Sequence, residues 1–118
     1  MRKIAFSTLV NPHQYKLVKS GKSDIVYEFI VPKGYVAFID QIANSWYPNT
    51  YLKFIVDWEE ETVQREIAPI NSPKEYKPPI VAKSFIRWIA FNNDSQDHVF
   101  EVLCDGFLAR VSEWRLNQ

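Results

Sequence analysis

The chain has 118 residues, 14 Lys or Arg against 14 Asp or Glu, and 47% apolar side chains. That composition describes one globular domain with a core of its own. It excludes a disordered chain and a strongly basic nucleic-acid-binding domain. Cys104 is the single cysteine, so neither an intrachain disulfide nor a cysteine-only zinc site can form. It sits in an apolar run and reads as a small core residue. The first ten residues, MRKIAFSTLV, begin basic and apolar, but Ser7 and Thr8 interrupt them and no small-residue cleavage site follows. No apolar run approaches the roughly 20 residues that span a membrane as a helix. The expectation is a protein made in a reducing cytoplasm, with no membrane and no nucleic acid among its partners.

Residues 1–22 carry Arg2, Lys3, Lys16, Lys19 and Lys22 and no acid. This segment is expected to be a basic arm, with one or two edge strands, that docks on an acidic surface of a partner. Asn11-Pro12 divides it, and Gly21-Lys22-Ser23 hinges it to the rest. The first strand is expected over Asp24–Val31. Pro32-Lys33-Gly34 makes a tight turn, with Pro fixing φ and Gly free to take a positive one. A long strand follows over Tyr35–Trp46, then a turn at Tyr47-Pro48-Asn49-Thr50.

The strand Tyr51–Trp58 alternates, with Leu52, Phe54, Val56 and Trp58 on the face expected to be the core. Four acids within residues 57–61 mark a solvated turn into a strand at Thr62–Ala68, with Val63 and Ile67 inward. Residues 69–79 hold four prolines and read as a surface crossing. A strand over Ile80–Phe91 and a polar loop over 92–97 precede a last strand, His98–Arg110, bulged at Asp105-Gly106. The tail, 111–118, is open, with Val111, Trp114 and Leu116 able to share a face. About eight antiparallel strands with Pro- and Gly-marked turns predict an all-β fold, a jelly-roll-like β-sandwich. The domain itself is expected over residues 23–110.

In the last two long strands neither alternate set is clearly polar. Phe85, Ile89, Leu103 and Phe107 therefore suggest a second apolar face covered by another copy, in a homo-oligomer such as a trimer or dimer. For catalysis the sequence offers little. His13 and His98 are too few and too separated to suggest a clustered metal site, and the three glycines make no phosphate cradle. No catalytic residue, metal or cofactor is expected. The loop Trp46–Tyr51 gathers three aromatics, Trp46, Tyr47 and Tyr51, which could stack on sugars or contact protein.

Three stretches, VPKGYVAFIDQIANSWYPNTYLKFIVD, INSPKEYKPPIVAKSFIRWIAFNN and HVFEVLCDGFLAR, share a strand-and-turn pattern. Over residues 24–110 the chain resembles small jelly-roll-like β-sandwich structural proteins of tailed bacteriophages, the capsid decoration and tail-associated modules. The resemblance implies a non-enzymatic virion component that self-associates around a symmetry axis, contacts other virion proteins and has no catalytic residues to carry over. The basic arm would then dock on a neighbouring subunit. The alternative expectation is a glycan-binding module that uses the 46–51 loop in host recognition.

Overall fold

Among the described residues, nine strands form two antiparallel sheets in the protein, which we describe from a computed structural model. The structure describes residues 2–112, and over 59–64 the backbone alone. The strands are β1 (Ile4–Ala5), β2 (His13–Val18), β3 (Lys22–Ile30), β4 (Tyr35–Asn44), β5 (Thr50–Val56), β6 (Glu59–Gln64), β7 (Lys74–Ala82), β8 (Phe85–Asn92) and β9 (His98–Arg110). One sheet runs β1-β9-β4-β7, with β2 also on β9; the other runs β3-β8-β5-β6.

β1 and β2 lie end to end along the same side of β9, so they act as one interrupted strand. The pairing is then nested. The first strand pairs with the last, β3 with β8, β4 with β7, and β5 with β6. This is one long antiparallel hairpin rolled into two sheets, the arrangement of a jelly roll. The expected all-β, jelly-roll-like sandwich is what the chain forms.

Alternation builds the core, because successive side chains of a strand face opposite sides. In β5, Leu52, Phe54 and Val56 are buried, with Tyr51, Lys53 and Ile55 partly so on the other face. Ile86, Trp88 and Ala90 of β8 meet Phe100, Val102 and Cys104 of β9 in a single core cluster. Burial raises the Cys104 thiol far above its usual range, so it is an inert core group, as expected. One bulge shapes the first sheet. The β4–β9 register shifts between Ile39 and Gln41, opposite Gly106 and Asp105. A Cβ on Gly106 would lie 1.9 Å from the Phe38 carbonyl oxygen, so only glycine allows the two backbones to approach this closely.

Four expectations need correction. Ile80–Phe91 is not one strand. The chain leaves the first sheet at Ala82 and enters the second at Phe85, with a corner at Lys83-Ser84. Residues 69–79 are not all crossing, because β7 begins at Lys74. Pro78 and Pro79 are accommodated because β7 is an edge strand and residues 76–79 skip pairing with β4. The turn before β6 is Asp57-Trp58, and Glu59–Gln64 is already strand, although 62–68 was expected to be. Trp58 itself is not core. Both turn residues take positive φ, 52° and 73°, and Trp58 is 78% exposed. Val63, Trp114 and Leu116 lie outside the described side chains.

Residues 2–22 are built into the sandwich: β1 and β2 are the edge strands expected of this segment, and they pair with β9 instead of hanging free as an arm. Between β1 and β2 a short 3-10 turn, Phe6–Thr8, drives the Phe6 ring into the core, where it packs 4.8 Å from Phe29. Lys16 of β2 meets Asp24 of β3 at 2.9 Å, closing the seam between the sheets at that edge. Lys3 stands over the Phe107 ring, and Arg2 lines a hollow with Tyr35 and Arg110. Removing residues 1–10 should therefore cost stability. Phe6→Ala alone is expected to lose about 3–5 kcal/mol in urea unfolding. A truncated protein that melts where the full chain does would show that the segment is a detachable arm.

Candidate functional site

At the β4–β5 end of the sandwich the chain forms an open depression of about 550 Å³. Trp46, Tyr51, Asn49, Arg65 and Asn93 line it, with Pro48 at its rim. The Trp46 indole N–H donates to the Thr50 carbonyl at 3.0 Å, which fixes the ring. The Arg65 guanidinium sits 5.6 Å from that ring's centre, and it pairs with no carboxylate among the described residues. Tyr51 stacks on Phe91 of the neighbouring strand at 4.6 Å, nearly parallel, and Lys53 Nζ lies 5.5 Å from the Phe91 ring.

Three buried polar residues hold this end in place: Asn44, Thr50 and Asn92. Asn44 donates to the Arg65 carbonyl at 2.8 Å and accepts from the Ile67 amide at 2.9 Å, so it pins the segment that carries Arg65. Thr50 Oγ1 accepts from the Tyr47 amide and donates to the Tyr47 carbonyl, closing the aromatic turn on itself. Asn92 donates to the Val18 and Gln96 carbonyls and accepts from the Asp94 amide, fixing the 92–97 loop. The Asn93 amide then donates to the Asn49 carbonyl, tying the two loops that face each other across the depression.

The aromatic trio expected at 46–51 therefore splits. Trp46 and Tyr51 line the depression. Tyr47 turns the other way, stacks on His98 at 4.1 Å and donates its hydroxyl to the Val99 carbonyl. His98 Nε2 donates to Asp94 Oδ2 at 2.7 Å, and Ser20 Oγ donates to the Asp94 carbonyl. His13 makes a similar contact with Glu101 at 3.1 Å on the outside of the first sheet. Each histidine is thus paired with a carboxylate, and Asp94 is the partner of His98 although Asp97 adjoins it in sequence.

The expected interface residues also separate. Phe85 and Ile89 face outward from one sheet, and Leu103 and Phe107 from the other. Phe85 is covered by its own chain: Trp58 packs edge-on to it at 4.7 Å, and Arg87 lies 4.7 Å over its ring. Phe107 stacks on Phe38 at 4.9 Å. The large apolar groups left in solvent are their neighbours. Among the described residues these are Ile25, Ile30 and Trp58 on the β3–β8 face and Tyr15, Leu17 and Val99 on the β2–β9 face, with Leu9 and Val81 exposed elsewhere on the first sheet's side. Of the expected docking cations, Lys19 and Lys22 are exposed at the β2–β3 turn.

Sequence reasoning missed Arg65, Asn49 and Asn93, which only the tertiary fold brings to Trp46. A signal existed in the asparagines Asn44 and Asn92, polar residues at inward positions of otherwise apolar strands. No protein-family model matches the chain, and no curated protein matches it either.

The hydrogen bond from His98, then one from the Ser95 amide, holds the Asp94 carboxyl below its usual range. A group lowered on folding contributes stability above its unfolded pKa of about 4 and loses it as pH falls through the folded value. Asp94→Asn should lower the melting temperature at neutral pH. It should also fall less steeply than the native chain between about pH 5 and pH 2. Parallel acid profiles for the two proteins would show that the pair contributes nothing.

Proposed function

We propose that this chain is a non-enzymatic structural module of a bacteriophage particle, acting through contacts with copies of itself and with other particle proteins. The observation that carries the reading is the pair of exposed apolar patches on opposite outer faces. Ile30 and Trp58 project from one sheet, and Tyr15, Leu17 and Val99 from the other. Each patch adjoins a polar pair, the Arg87–Glu28 ion pair on the first and the His13–Glu101 hydrogen bond on the second. Apolar side chains left out after two sheets have packed favour association. The jelly roll and the likeness of residues 24–110 to phage β-sandwich proteins supply the setting, a protein made in the host cytoplasm and carried in the virion.

Two patches on opposite faces favour one kind of assembly. A two-fold dimer joins like to like and would leave one patch of each subunit in water. Head-to-tail contact seats the patch of one subunit on the opposite patch of the next; it closes as a ring of three or more where the rotation between neighbours allows, and otherwise runs on as a filament. A standard interface buries about 800 Å² on each partner, enough to cover one patch and the polar pair beside it.

Light scattering at micromolar concentration should give at least three times the 13.9 kDa chain mass. Trp58→Lys and Leu17→Lys, both at exposed positions, should each yield folded monomers. A native chain that stays monomeric at high concentration would end the proposal.

A further inference from the structure

We infer that the depression at the β4–β5 end binds a saccharide carrying an acidic group, its pyranose face on Trp46 and Tyr51 and its charge on Arg65. The first ground is chemical. Sugars present an apolar ring face together with hydroxyls, and protein sites for them combine aromatic rings with a few convergent polar groups. Here two rings, the side-chain amides of Asn49 and Asn93, and one guanidinium line the same hollow. The amides can both donate to and accept from hydroxyls, and the guanidinium suits a carboxylate through paired N–H groups.

The second ground is how the hollow is held. Burying a polar side chain costs free energy unless its hydrogen bonds are remade. Asn44, Thr50 and Asn92 are fully or almost fully buried, and all three serve the loops around this depression. Their bonds satisfy loop backbone groups and at the same time hold the loops in one arrangement. Rigid loops do help a weak ligand, because little ordering entropy is then lost on binding. Tyr47 and His98 back the same turn from the core side. A nucleic-acid strand would need a row of cations along its phosphates, and among the described residues Arg65 is the one cation on the lining.

The test is a nuclear magnetic resonance titration of the isotope-labelled full chain. The acidic probes are tetragalacturonate and 3′-sialyllactose. Cellotetraose is the neutral probe, and an eight-residue oligothymidylate is the nucleic-acid probe. At least one acidic probe should shift the Trp46 indole N–H and the Asn49 and Asn93 side-chain amides, with a Kd near about 1 mM. The neutral sugar should bind at least about fivefold more weakly. Arg65→Ala, at an exposed position, should remove that preference while leaving the rest of the spectrum in place. Trp46→Phe should keep the preference and weaken every sugar, because a smaller ring still stacks. The inference fails if neither acidic probe shifts these resonances at about 10 mM, about tenfold above that Kd. It also fails if neutral and acidic sugars bind alike, or if oligothymidylate binds more tightly than both acidic probes. Self-association plays no part in this readout, so the outcome is independent of the ring.

Discussion

The carboxylate of Asp57 joins the two parts of the chain that a jelly roll must bring together. It stands at the tip of the long hairpin, where β5 turns into β6, and it accepts the backbone amides of Lys83, Ser84 and Phe85 at 2.6–3.1 Å. Those three residues form the corner at which the chain passes from one sheet to the other. The Asp57 amide in turn donates to the Phe85 carbonyl. A carboxylate accepting several backbone N–H groups is a strong, charge-assisted clamp, and here it satisfies donors that neither sheet could use. The clamp requires a tight turn with positive φ at Asp57 and Trp58, and that turn carries Trp58 out of the core and into solvent.

One constraint thereby links fold and surface. Trp58 stands outside because the clamp turns it there, and once outside it covers Phe85 and forms a patch with Ile30. β5 runs from this corner to the opposite end of the sandwich, where Thr50 begins the strand and the depression opens. The two ends differ in character. The clamp end presents apolar groups beside an ion pair. The other end is fastened by buried amides and a hydroxyl, and it presents rings, amides and a guanidinium.

Much of this was legible in the sequence, for identifiable reasons. Alternation in residues 51–56 and the Pro-Lys-Gly turn at 32–34 encode their strands locally, so those strands read correctly. The corner at Lys83-Ser84 did not read, because it contains neither Gly nor Pro and the alternation stays in phase across it: Ala82, Ile86, Trp88 and Ala90 all face inward. What makes it a corner is Asp57, some 26 residues earlier in the chain. Trp58 continued its strand's pattern and was misread because turn geometry overrode periodicity. The basic segment at 1–22 read as an arm because charge is visible in sequence, whereas the insertion of Phe6 beside Phe29 is not. In the depression the aromatics were visible as a cluster, but Arg65 and Asn93 reach them only through long-range hydrogen bonds.

The ring with opposed patches is tested most directly by photo-crosslinking from position 58. A benzoylphenylalanine placed there keeps an aromatic at the exposed turn and reacts with whatever a neighbouring subunit presents to it. The account predicts intersubunit crosslinks to β2 and β9 of the next copy, around Tyr15, Leu17 and Val99. Crosslinks joining position 58 to position 58 would instead show a two-fold contact of like faces, and the head-to-tail assembly would be wrong.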